Sequence, residues 1–257
     1  MLRRLLILGA LAPTLAGCSG KRACDTGSAA CTRVLFIGNS YTYTNDLPHV
    51  FKALASSGGE SVDTGMVATG GATLAMQAAS ADTATAMASK QWSVVVLQEQ
   101  SEIPAIEEFR QQQMYPAARR LVSMVRGAGA RPVFFLTWAH RDGWPENGLP
   151  DYASMQSAID DGYLTIAAGQ KTAVAPVGYA WWTLLAQEPA ADLWLDDNSH
   201  PTPEGTYLAA CVFYATIFDR TPVGLHYHAG LPADEAATVQ EVASKVVLGD
   251  PAKWGLG

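Results

Sequence analysis

Val34-Leu35-Phe36-Ile37-Gly38-Asn39-Ser40-Tyr41-Thr42 decides the fold. An apolar, partly β-branched run that stops at a glycine predicts a buried strand delivering Ser40 onto a sharp turn. Downstream, strand-like and helix-like patterns alternate. Asn45 or Asp46 caps a helix with Pro48 in its first turn and Leu47, Val50, Phe51 and Leu54 at helical spacing, ending at Gly58-Gly59. A strand over Ser61–Val67 runs into Ala68-Thr69-Gly70-Gly71, followed by an alanine-rich helix from about Thr73 to Ser89. A wholly apolar strand, Val94–Leu97, ends in Gln98-Glu99-Gln100-Ser101. Residues 104–126 predict a helix interrupted near Pro116, and Arg131–Trp138 a fourth strand. A helix from Asp151 to Ala168, a fifth strand near Thr172–Val177, and helices over Thr202–Phe218 and Ala233–Val247 complete the pattern. Such alternation predicts a parallel sheet flanked by helices, an α/β fold.

The chain has 257 residues, 49% of them hydrophobic and 16% charged, which suits one globular domain over 33–257. Residues 1–18 have the layout of a secretory signal, with Arg3 and Arg4 before an apolar stretch. That stretch is too short to favour spanning a membrane. Its end, Leu15-Ala16-Gly17-Cys18, resembles the lipobox of bacterial lipoproteins. The resemblance implies lipidation of Cys18 and an exported protein held on the extracytoplasmic side by its acyl chains. Residues 19–32 then form a tether in which Cys24 and Cys31 can pair once exported. Removing Arg3 and Arg4 with the signal takes the formal charge from -7 to -9, since residues 1–17 carry no other charge. An acidic surface gives no electrostatic reason to bind nucleic acid or anionic head groups, so membrane attachment would rest on the lipid. Cys211 lies in an apolar helical pattern and reads as a small buried hydrophobe.

In a doubly wound sheet, ligands bind beyond the carboxyl ends of the strands. The polar residues fall at that edge: Ser40 after strand one, Gly70 and Gly71 after strand two, Gln98 and Gln100 after strand three, and His140 with Asp142 after strand four. A serine hydroxyl is a poor nucleophile until an imidazole takes its proton, and a carboxylate fixes that imidazole's tautomer. Asp197-Asn198-Ser199-His200-Pro201 supplies both, with Asp196 as the adjacent rival for the acid. His200 sits just before an apolar helix, a rigid mount. Backbone N–H groups of Ser40 and of Gly70 or Gly71, with an amide from Gln98 or Gln100, can supply an oxyanion hole. Asn39, Tyr41, Trp138, His140 and Trp144 are the candidate substrate contacts. His226 and His228 have an alternating spacing that can ligate zinc, but no cysteine or acid cluster accompanies them, so neither a metal nor another cofactor is expected.

These blocks resemble the SGNH (GDSL-like) hydrolases over roughly residues 33–218. Ser40 matches the nucleophile, Gly70 or Gly71 the oxyanion glycine, and Asp197 with His200 the Asp-x-x-His-Pro ending. Asn39 stands where the family usually has aspartate, and Gln98-Glu99-Gln100-Ser101 replaces Gly-x-Asn-Asp. The resemblance implies a three-layer α/β/α sandwich on a flavodoxin-like parallel sheet of about five strands, and ester hydrolysis without a metal. The expected activity is removal of small acyl groups, acetyl among them, from an acyl ester or acylated carbohydrate through an acyl-serine. The same serine could serve an acyltransferase, or the fold a non-catalytic binding lipoprotein.

Overall fold

The computed structural model describes residue 24 and residues 31–257. The signal segment, Cys18 and most of the tether lie outside the described residues. Cys24 and Cys31 form a disulfide immediately before the sheet.

Five strands, β1 (Thr32–Gly38), β2 (Val62–Ala68), β3 (Val94–Leu97), β4 (Arg131–Phe135) and β5 (Ala173–Ala175), pair in the order β2-β1-β3-β4-β5. Every pairing is parallel. Because side chains alternate along a strand, each strand divides between two cores. Val34, Phe36, Val94, Val96, Val133 and Phe135 face one, and Leu35, Ile37, Val95, Leu97 and Phe134 the other.

Among the described residues ten α-helices connect and cover the sheet: α1 (Ser40–Tyr43), α2 (Leu47–Ser57), α3 (Leu74–Ala79), α4 (Ala81–Ala88), α5 (Glu107–Phe109), α6 (Tyr115–Gly127), α7 (Tyr152–Gln170), α8 (Val177–Gln187), α9 (Pro203–Phe218) and α10 (Ala233–Leu248). Helices α2, α8, α9 and α10 pack on the first face, and α3, α6 and α7 on the second. The result is the expected three-layer sandwich. Helix α9 is buried almost all round, so it carries no polar stripe. Among the described residues no helix is long and apolar enough to cross a membrane.

The element boundaries follow local chemistry. Asp46 caps α2 through the His49 N–H, and Asp151 caps α7 in a capping box with Ser154. The alanine-rich segment forms two helices where one was expected. Ser80 leaves α3 in an extended conformation and caps α4 through the Thr83 N–H. The interrupted helix breaks as Pro116 dictates: a π turn over Arg110–Met114 precedes α6, which begins one residue before the proline that lacks a donor. Strand β4 ends at Phe135, and the chain runs on to Trp138 buried but outside the ladder. Helix α8, carrying Trp181 and Trp182, was not expected; its apolar composition gives no clear period.

Candidate active site

Gly38 closes β1 where a larger residue cannot fit. A Cβ there would lie 2.3 Å from Gln98 Oε1 and 2.5 Å from Thr42 Oγ1. Asn39 follows, caps α1 by accepting from the Tyr41 N–H, and leaves Ser40 as the first residue of that helix. Ser40 is half-buried at the carboxyl edge of the sheet.

The acid and base arrive on the loop before α9. Asp197 Oδ1 accepts from the N–H groups of Ser199 (3.0 Å) and His200 (2.9 Å), while its Oδ2 lies 2.5 Å from His200 Nδ1. Desolvation pushes this carboxyl up, but the two N–H donors and the imidazole outweigh it and hold its pKa below the usual range. With Nδ1–H facing the carboxylate, Nε2 is left to accept from Ser40 Oγ at 2.8 Å. The side chains thus stand in nucleophile, base and acid order, fit for attack on an acyl carbon. Asp196 is exposed and takes no part.

Several contacts hold the acid-base loop. Asn198 adopts a left-handed φ of 60°, its side chain donates to Asp142 Oδ2 (2.8 Å), and its carbonyl accepts from the Arg141 N–H (2.9 Å). The Ser199 carbonyl accepts from Trp138 Nε1 (2.9 Å), and Ser199 Oγ pairs with the Tyr41 hydroxyl (2.7 Å). Tyr41 stacks on Trp138 at 4.5 Å, Trp138 on Trp181 at 4.1 Å, and Tyr41 meets the His200 ring edge-on at 5.7 Å. The residue beside the nucleophile therefore braces the base.

The glutamines do not occupy the place expected of an oxyanion donor. Gln98 is fully buried; its Oε1 accepts from the Asn39 N–H (2.8 Å) and Thr42 Oγ1 (3.0 Å), and its Nε2 donates to Asn39 Oδ1 (2.9 Å) and the Glu99 carbonyl. With each polar atom committed to the scaffold, its amide has no hydrogen left for an anion beside Ser40. Gln100 turns into its own loop, donating to Ser101 and Glu102 and accepting from the N–H groups of Glu102 and Ile103.

The loop bearing Gly70 and Gly71 is tied at both ends. Gly71 has φ 67°, which suits glycine, and exposes its backbone with Gly70. Asn39 Nδ2 donates to the Ala72 carbonyl (3.0 Å), tying this loop to the nucleophile turn. Glu99 ties its other end by accepting from the Leu74 N–H (2.9 Å). Glu99 is fully buried and its Oε2 has no hydrogen-bond partner among the described residues. Burial outweighs the N–H donors of Gln100 and Leu74 and pushes its carboxyl up to about 7.

The expected substrate contacts divide. Asn39, Tyr41 and Trp138 are buried and serve the framework, which corrects that expectation. His140 is half-exposed, 3.3 Å from Ser101 Oγ, and burial lowers its pKa. Trp144 rests half-buried on the core beneath α7 and pairs through its backbone with Leu149. Cys211 is buried and its thiol is pushed up by desolvation. His226 and His228 stand without a third donor: among the described residues no group of three histidine, cysteine or carboxylate side chains is placed to hold a metal ion. Glu99 and Ser199 were missed as parts of the site, and Asp142, expected at the same rim, was not read as a contact of the acid-base loop. Their roles depend on contacts across the chain, and only the concentration of polar residues after strands three and four signalled them.

No family model matches the sequence, and no curated protein matches it. Solved structures do. A candidate SGNH hydrolase from Slackia heliotrinireducens is 28% identical, with TM-score 0.61 over 73% of this chain and 99% of that one. A DUF4886 family protein from Bacteroides uniformis superposes with TM-score 0.72 at 18% identity, over 86% of this chain and 96% of that one. An acetyl-xylooligosaccharide esterase from Geobacillus, in a variant form, gives TM-score 0.58 at 15% identity, over 75% of this chain and 94% of that one. The fold is that of the SGNH hydrolases.

Proposed function

We propose that this SGNH-type serine hydrolase is an esterase that removes small acyl groups, acetyl foremost, from carbohydrate through an acyl-serine intermediate. The observation that carries the reading is the continuous relay Asp197–His200–Ser40, with 2.5 and 2.8 Å steps. Ser40 attacks the acyl carbon as Nε2 of His200 takes its proton. The imidazolium, stabilised by the already ionised Asp197, returns that proton to the departing alcohol, and water then repeats the sequence on the acyl-serine. Backbone N–H groups of Ser40, Gly70 and Gly71 receive the oxyanion, so backbone dipoles replace the side-chain amide that Gln98 and Gln100 do not offer. The carbohydrate assignment draws on the acetyl-xylooligosaccharide esterase among the structural neighbours and on the half-exposed Trp144 and His140 beside the rim.

We further propose export and lipid anchoring through Cys18, which the disulfide between Cys24 and Cys31 supports, since such bonds persist in oxidising compartments. The test is hydrolysis of p-nitrophenyl acetate, followed by acetate release from acetylated oligosaccharides. Ser40→Ala and His200→Ala abolish turnover, and Asp197→Asn lowers kcat by about 10³–10⁴-fold, each with an unchanged fold. The committed glutamines favour a second reading, a binding module without catalysis. A parent protein inactive on every acyl ester offered would count against the esterase and favour that second reading or a narrowly selective acyltransferase.

A further inference from the structure

At the end of the sheet opposite Ser40, where the strands begin, a cavity of about 630 Å³ opens between the starts of β4 and β5 and the end of α9. Its charge runs against that of the chain. The protein carries a formal -7, yet Arg126, Arg131 and Lys171 all line this one cavity, with Asp219 as the only carboxylate side chain among the described lining residues. None of the three cations lies within ion-pair distance of a carboxylate among the described residues. Neighbouring cations at the same edge are paired: Lys52 and Lys90 with Asp63, and Arg220 with Glu60. Against the three cations stand the Asp219 side chain and the terminal carboxylate of Gly257, which also lines the cavity, so the lining keeps an excess of positive charge that suits a counter-anion.

The polar lining is consistent with a ligand. Arg126 is oriented by donating one nitrogen to the carbonyls of Gln170 (2.7 Å) and Lys171 (3.1 Å) and to Thr172 Oγ1 (3.3 Å). Thr216, on α9, is 3% exposed and lines the cavity, and its Oγ1 has no hydrogen-bond partner among the described residues. A hydroxyl within a helix commonly bonds back to its own preceding turn; leaving one buried and unpaired costs about 1–3 kcal/mol, so such groups call for an explanation.

We propose that this cavity is an anion site that takes a phosphate group. The Arg131 guanidinium fork, the Arg126 N–H groups not spent on its carbonyls and the Lys171 ammonium match the several oxygens of a phosphate, and Thr216 Oγ1, shielded as it stands, supplies a further donor once its side chain turns toward the cavity. The volume exceeds that of inorganic phosphate alone and leaves room for an attached organic group. A phosphorylated solute and the head group of an anionic phospholipid share this chemistry, and the edge that bears the cavity is also the one at which the chain enters β1 from Cys31.

The test titrates inorganic phosphate into the full chain, followed by phosphorus-31 line broadening, with Arg131→Gln/Lys171→Gln, with Thr216→Val, and with Arg119→Gln as a control outside the cavity. Saturable binding is expected, at least about tenfold weaker in the double variant and several-fold weaker in Thr216→Val, and unchanged in Arg119→Gln. Thermal unfolding shows whether each variant is folded, and Thr216→Val, which alters one atom, tests the site independently of the charge change. A second arm floats the same proteins with phosphatidylcholine vesicles with and without phosphatidylglycerol. Flotation that rises with phosphatidylglycerol and is lost in the double variant assigns a head group; phosphate binding without that response assigns a soluble phosphate ester. Phosphate binding and flotation equal in the parent and the double variant would overturn the proposal.

Discussion

Glu99→Gln tests how the loop bearing Gly70 and Gly71 is held. The Glu99 carboxyl has a folded-state pKa of about 7 against an ordinary 4.5. Between those values the folded chain keeps a proton that the unfolded chain has lost, so the stability contributed by this group is complete below about pH 4.5 and declines as pH rises towards 7. Integrating the two titrations gives a loss of about 2–3 kcal/mol between pH 5 and pH 8. Glutamine keeps an oxygen for the N–H groups of Leu74 and Gln100 but cannot ionise. Any fixed cost of burying its amide nitrogen where Oε2 stands is the same at both pH values and cancels in the comparison. Urea unfolding at pH 5 and pH 8 therefore reads the charge alone, and the variant should recover about 2–3 kcal/mol relative to the parent over that interval. Asp160, also raised by burial to about 7, leaves a residual pH slope common to both proteins. Equal slopes in parent and variant would show that Glu99 is not protonated in the folded protein and would refute the reasoning.

Gln98→Ala removes the partner of four polar groups in a fully buried site and should destabilise by about 3–5 kcal/mol while kcat of the folded fraction stays within about tenfold. A kcat loss of about 10²–10³-fold with stability intact would instead make Gln98 an oxyanion donor. Tyr41→Phe deletes the 2.7 Å bond to Ser199 but keeps the stack on Trp138; kcat should fall several-fold with KM unchanged, and stability by about 1 kcal/mol in thermal melts. Reducing the Cys24–Cys31 disulfide, which closes a loop with a sequence separation of 7, should cost at most about 2–3 kcal/mol in denaturant and leave esterase activity unchanged.

The sheet was legible because its strands are short apolar runs bounded by turn residues, and Val94–Leu97 matched to the residue. Helix α9 was equally plain, from Thr202 as cap and Pro203 at the first position. Ser40, Asp197 and His200 were found because the nucleophile sits on a strand-end turn and the other two share one loop. The glutamines misled for a physical reason. A side chain at a strand end can point outward to a ligand or back into the scaffold, and residue type alone does not distinguish them. Gly38 decides the matter in three dimensions, since its missing Cβ makes the space that Gln98 Oε1 fills. Tyr41 and Trp138 misled similarly: aromatic residues beside a nucleophile suggest a ligand platform, but here they stack on each other and on Trp181.

Ser40 and His200 are separated by 160 positions, and four of the five strands lie between them in chain order. A chain made from its N-terminus thus carries the nucleophile through most of synthesis with no base to activate it. Helix α9, which follows His200, packs against α2 and comes after all five strands in chain order, so serine and base meet only through a contact of high sequence separation. A chain cut short before Asp197 would carry the Ser40 hydroxyl without the base and acid that activate it.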